Sequence, residues 1–153
     1  MTVKVPPSGS RGMRFPRFLA RLGNRFMIRQ FRRGGARTRG GVEALMLETV
    51  GAKSGEPRRA VLGYLPEGDD AWLVIAAIAG AARNPAWLHN LASHPEATVQ
   101  FKEGRRVDVR AETLEGADLD AAWERIGKDA PEFVNYRTTT DREISVVRLR
   151  RRA

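Results

Sequence analysis

VEALMLETVGAKSGEPRRAVLGYLPEGDDAWLVIAA, residues 42–77, is the stretch on which the fold turns. Residues 42–50 are rich in β-formers, and Gly51-Ala52-Lys53-Ser54-Gly55 reads as a turn. Residues 58–65 read as a second strand. Pro66-Glu67-Gly68-Asp69-Asp70 has the composition of another tight turn, and 71–77 is a third, strongly apolar strand. Strands joined by connections this short lie antiparallel, because a parallel pair needs a crossover of roughly a dozen residues or more.

Downstream, a loop of small residues at 79–82 precedes Asn84-Pro85, which reads as an N-cap followed by proline at the first helical position. That helix is predicted to end near Ser93, because Pro95 follows. Residues 98–102 and 105–113 flank Glu103-Gly104, a hairpin signal. Residues 117–128 read as a helix with Leu119, Ala122, Trp123 and Ile126 on one side, and 144–149 as a closing strand. Upstream, residues 34–41 form a Gly/Arg linker. Residues 13–33 read as a basic amphipathic helix, with Phe15, Phe18, Leu19, Leu22 and Phe26 at helical spacing and Arg17, Arg21, Arg25 and Arg29 on another face. Residues 1–12, rich in Pro, Ser and Gly, are expected to be a disordered lead. The fold class expected is therefore mainly β with flanking helices. One antiparallel sheet, residues 42–150, closes on itself as a barrel, rather than forming a doubly wound parallel sheet.

Composition narrows the chemistry. The 153 residues are enough for one core, and none is cysteine. Disulfides, thiolate catalysis and Cys-based metal sites are thereby excluded, and the lack of cysteine fits a reducing cytoplasm. The two imidazoles, His89 and His94, have no acidic residue between them, so no metal site is expected. A net charge of +9 attracts anions: nucleic acid, anionic lipid, or a phosphorylated, carboxylated ligand. Nucleic acid is disfavoured, because aromatic and basic residues do not interleave as a stacking platform requires. No apolar run approaches the ~20 residues of a membrane span, and residues 1–12 lack a secretory signal's apolar core.

Two segments carry candidate chemistry. In Gly51-Ala52-Lys53-Ser54-Gly55-Glu56-Pro57-Arg58-Arg59 a turn with backbone N–H groups is joined by Lys53, Ser54, Arg58 and Arg59. Such a turn can cradle an anion, and an arginine can grip phosphate through two parallel bonds. By itself it reads equally as a solvated basic hairpin turn. In Arg83-Asn84-Pro85-Ala86-Trp87-Leu88-His89-Asn90-Leu91 an arginine precedes a helix N-terminus, a place suited to anions; the same residues also read as a core helix.

Taken together, Leu47-Glu48-Thr49-Val50, the 51–58 turn, the Asn84–Leu91 stretch and Thr140-Asp141-Arg142-Glu143-Ile144 resemble the deazaflavin-dependent nitroreductase family, also called the coenzyme F-420-dependent quinone reductases. The resemblance covers about residues 42–150. It implies a split β-barrel like that of FMN-binding, pyridoxamine-oxidase-like proteins. It also implies hydride transfer from reduced coenzyme F-420 to a small organic acceptor such as a quinone, an enone or a nitro compound. By position, Lys53, Ser54, Arg58 and Arg59 would hold the cofactor phosphate. The backbone around Ala60, Val61 and Leu62 and around Ala76 and Ala77 would flank the deazaflavin. Trp87 and Asn90 would lie near the groove, and Arg83 would meet the acidic tail. FMN, whose phosphate would use the same turn, stands as the alternative cofactor.

This chain departs from the family pattern on the acceptor side. Residues 130–136 keep one tyrosine, Tyr136, where nitroimidazole-reducing members can show three, and Gly63 stands where an aromatic can occur. Tyr136 is thus the candidate for orienting or protonating the acceptor, and reads equally as a half-buried core tyrosine with its hydroxyl in water; nitro-drug reduction is not carried over. A non-catalytic F-420, FMN or lipid carrier on the same fold is the second reading. Cytoplasmic location is expected, with peripheral contact to an anionic membrane through residues 13–33 as one reading and packing on the barrel as the other. Oligomeric state is left open.

Overall fold

The computed structural model describes residues 2–12, 16–34, 41–77 and 82–152. Its elements are α1 (Arg17–Arg32), β1 (Ala44–Val50), β2 (Pro57–Glu67), β3 (Ala71–Ile75), α2 (Ala86–Ser93), β4 (Glu96–Gln100), β5 (Arg106–Thr113), α3 (Gly116–Asp129), α4 (Glu132–Thr139) and β6 (Val146–Arg151). The strands close into one antiparallel barrel in the order β1-β2-β3-β6-β5-β4. Closure gives every strand a neighbour on both sides over at least part of its length, which is how a chain of short strands protects its backbone.

Alternation puts one face of each strand inside. Leu45 and Leu47 of β1, Val99 of β4, Val109 of β5 and Leu149 of β6 fill the barrel with Trp72 and Val74 of β3. A second cluster lies on the outer face, where Leu65, Leu73, Ile75 and Val146 pack beneath Ala122 and Ile126 of α3 and Phe133 of α4. Strand β3 therefore has both faces covered, which is why Ala71-Trp72-Leu73-Val74-Ile75 is continuously apolar.

Four expectations change. Residues 2–12 form an ordered strap. Val3 is buried, Thr113 N–H donates to Thr2 O at 3.0 Å, Lys4 N–H to Thr113 Oγ1 at 2.9 Å, and Gly9 N–H to Ala82 O at 2.7 Å. Extended backbone rich in Pro and Gly needs only such anchors to lie flat on a folded body, and composition does not reveal them. Asn84 is not a cap. Pro85 takes the cap position of α2 with no side-chain bond, because the Asn84 amide is already bonded to Pro6 O and Arg142. Strand boundaries move as well: Ile144 lies before β6, and β4 starts at Glu96. Helix α4 goes unsignalled because Glu132–Thr139 has almost no apolar periodicity and contains three β-branched residues; it is held by packing of Phe133 rather than by propensity. The 13–33 helix is observed from Arg17, while residues 13–15 and the linker residues 35–40 lie outside the described residues.

Candidate functional site

The site begins with how the barrel fails to zip. Strand β1 pairs with β2 along Pro57–Gly63, but β3 meets β2 only from Tyr64 to Glu67. Past Val74 the β3 chain keeps its partner on the β6 side, Ala76 N–H donating to Ser145 O at 2.9 Å. Among the described residues, the other edge of Pro57–Gly63 has no strand beside it. The sheet is thus slit, in its pairing, between Ala60-Val61-Leu62 and Ala76-Ala77, the latter two remaining buried at 0% and 2% exposed, and helix α1 approaches this break, where Asn24 Nδ2 donates to Arg59 O at 2.7 Å.

At one end of the slit stands the 51–56 turn. Gly51 and Glu56 close it (N–H to O, 2.8 Å), and Gly55 N–H returns to Gly51 O at 2.9 Å. Gly55 has φ 71°, a left-handed conformation that glycine adopts without strain. A Cβ on Gly51 would fall 2.5 Å from Ser54 Oγ, so the turn is built around that glycine. Arg58 Nη2 lies 3.4 Å from Ser54 Oγ and Nη1 lies 3.5 Å from Glu56 Oε2, all of them exposed. An exposed pair of this length is worth about 0–1 kcal/mol, so Arg58 can exchange Glu56 for a stronger anion. The Lys53 ammonium makes no ion pair among the described residues. Ser54 and Arg58 thus lie side by side on an exposed turn that also carries Lys53.

Arg59 does not join them. The Thr49↔Arg58 and Glu48↔Arg59 pairs fall on opposite faces of the sheet, and Arg59 Nε is bonded to Glu48 Oε2 at 3.0 Å. The small cavity of about 190 Å³ on that flank is walled by Glu48, Glu96 and Arg152 and excludes Lys53, Ser54 and Arg58. Two carboxylates in its wall make it a poor anion site, and we place no phosphate there.

Asn90, expected near the groove, is bonded to the turn itself. From the buried face of α2 its Oδ1 accepts Ala52 N–H at 3.0 Å, while its Nδ2 donates to buried Thr49 Oγ1 at 3.0 Å. It thus ties the turn to the barrel wall. Trp87 is 7% exposed and belongs to the barrel core cluster that also holds Ala76. Arg83 is half-buried ahead of α2.

At the other flank, the backbone of Ala76 and Ala77 is held from behind. Arg142, 4% exposed, donates to Ala76 O at 2.9 Å, Ala77 O at 3.0 Å and Asn84 Oδ1 at 3.0 Å. Burial lowers the pKa of its guanidinium. Next to it, Asp141 accepts hydrogen bonds from the Ser10 hydroxyl and from Arg11 N–H, and these donors hold its carboxyl down to about 2. Tyr136 of α4 is half-buried and packs edge-on to Phe133 at 5.7 Å, against the same cluster that contains Ala77. Tyr64 lies near the far end of β2 from the turn. Burial, with the hydrogen bond and charge of Glu43, pushes its hydroxyl up to about 12, so it stays protonated. Sequence reasoning matched the 140–144 stretch as a motif but assigned Arg142 no task; a lone arginine before a strand gives no sign that it is buried.

Residues 21–150 match the family model described as F420H(2)-dependent quinone reductase. The F420H(2)-dependent quinone reductase Rv1261c of Mycobacterium tuberculosis is 37% identical over 121 residues, covering 77% of this chain and 80% of that one. Among solved structures, an F420-H2 dependent reductase (FDR-A) is 29% identical with a TM-score of 0.61, covering 69% of this chain and 92% of its own. A domain-swapped dimer is 27% identical with a TM-score of 0.62, covering 88% and 99%. The slit, the donor turn and the match across nearly the whole barrel agree, and the chain belongs to the F420H(2)-dependent quinone reductase family.

Proposed function

We propose that this chain is a reductase that binds coenzyme F-420 in the slit and acts on a quinone-type acceptor, activated enones being the nearest other class. The carrying observation is the donor set of Lys53, Ser54 and Arg58 at the mouth of a slit, in a chain of this family. When bound in its reduced form, the deazaflavin supplies a hydride to the acceptor. Lys53, Ser54 and Arg58 bind the phosphate, and Asn90 keeps their turn in register. The Ala60–Leu62 and Ala76–Ala77 walls hold the ring and exclude water, which fixes the distance and angle of approach. The Tyr136 hydroxyl orients the acceptor oxygen. Fluorescence titration with F-420, with FMN in parallel, tests the cofactor. Micromolar or tighter binding of F-420 alone is expected, and tight binding of FMN with none of F-420 overturns the assignment. Oxidation of reduced F-420 by menadione then separates a reductase from a carrier.

A specific observation also favours peripheral attachment to an anionic membrane. No described helix is long and apolar enough to cross a bilayer. Yet α1 leaves Phe18 62%, Leu19 49%, Leu22 56% and Phe26 65% exposed, on a helix that also carries Arg17, Arg21, Arg25 and Arg29 and no acidic residue. An apolar stripe beside arginines suits a headgroup interface.

A further inference from the structure

The wall formed by Ala76 and Ala77 has its backbone hydrogen-bonding groups already engaged within the protein. Ala76 N–H donates to Ser145 O, and Ala77 N–H reaches back to Ile75 O at 2.9 Å, a tight turn about Ala76. In an extended strand successive carbonyls point to opposite sides. Here both carbonyls face one guanidinium, and only a forked, planar donor spans two adjacent oxygens together with a side-chain amide. Ala76 and Ala77 are themselves buried, at 0% and 2% exposed, and their backbone offers no ready hydrogen bond to a ligand.

The cation that holds the wall is itself held by the strap. Arg142 N–H donates to Thr140 Oγ1 at 3.1 Å, and the Thr140 hydroxyl donates to Arg11 O at 2.6 Å. Asn84 Nδ2 donates to Pro6 O at 2.6 Å, so both the amide that meets Arg142 and the corner that carries it are fastened to residues 6–11. A Cβ on Gly9 would fall 2.5 Å from Asp141 Oδ1 and 2.8 Å from Arg142 N, which shows how closely the strap seats there.

We propose that Arg142 is a positioning residue for the cofactor ring: it fixes the Ala76–Ala77 wall of the slit, and the N-terminal strap locks it in that task. This rests on the proposed use of the slit by coenzyme F-420. The turn and the wall are separate devices, and each meets a different part of the ligand. Two ligands tell them apart: whole F-420, and the deazaflavin riboside that lacks phosphate and acidic tail.

The experiment compares wild type, Arg142→Lys, Asn84→Ala and the Lys53→Ala/Arg58→Ala pair by fluorescence titration with both ligands. It is run at a temperature where thermal melting shows each protein fully folded. Arg142→Lys is expected to weaken both ligands by a similar factor, about tenfold. It should also lower kcat with menadione at saturating cofactor, since a misplaced ring loses approach geometry. Asn84→Ala, which removes one oxygen partner and leaves the guanidinium, gives the same pattern in milder form and serves if Arg142→Lys does not fold. The Lys53/Arg58 pair should weaken whole F-420 and leave the riboside within twofold. Riboside affinity and kcat within twofold of wild type in folded Arg142→Lys, or in Asn84→Ala where that variant does not fold, overturns the proposal while leaving the slit reading intact. A wild type that binds neither ligand overturns both.

Discussion

Lys53 and Arg58 are exposed cations on a turn whose shape is set by glycine and by Asn90, so removing them costs little folding energy and falls on the ligand. A hydrogen bond to a charged group is worth about 1.5–3 kcal/mol. Each substitution to alanine should therefore weaken F-420 binding on the order of 10–100-fold, with the melting temperature nearly unchanged. Full affinity in the double variant would remove the phosphate from this turn. Asn90 gives the opposite pattern. Asn90→Ala leaves Ala52 N–H and buried Thr49 Oγ1 without their partner, a cost of about 1–3 kcal/mol that thermal melting should register. Asn90→Asp keeps an acceptor for Ala52 N–H but brings a negative charge to the turn. It should melt closer to wild type and still bind F-420 more weakly. An Asp variant with undiminished affinity would show that Asn90 lies too far from the anion to matter.

At the scale of elements, α1 is the anomaly. It packs on β1 and β2 and buries Phe31, but turns four large apolar side chains outward. Burying such a side chain gains roughly 1.5–3 kcal/mol, and here that gain is left unrealised. Phe18→Asp with Leu22→Asp should therefore leave stability within about 0.5 kcal/mol. The same pair should abolish co-sedimentation with phosphatidylserine vesicles, if the stripe meets lipid; undiminished sedimentation would send the apolar stripe elsewhere. Helix α4 is the contrary case, weak in pattern and secured by Phe133, and it brings Tyr136 to the cluster that contains Ala77.

The whole molecule adds the strap, which joins the N-terminal residues to the 140–142 corner. Asp141 anchors it, and because the folded carboxyl is held down to about 2 from an ordinary 3.8, its contribution is present above pH 3.8 and is lost as pH falls toward 2. Limited proteolysis of residues 2–12 should accordingly be constant from pH 7 to about 4 and quicken only below. In Asp141→Asn the strap should be cleaved faster already at neutral pH, and equal cleavage would dismiss the anchor. The sequence by itself determined the antiparallel barrel and the 51–56 turn, because short turns, two-residue alternation and a Gly-x-Lys-Ser-Gly run are local patterns written within about ten residues. The tertiary structure alone decided that Arg59 pairs with Glu48, that Asn90 braces the turn, that residues 2–12 are fastened down and that Arg142 is buried against the Ala76 and Ala77 carbonyls. Each of these depends on partners 11 to 130 positions away in the chain, and no local propensity encodes a contact at that distance.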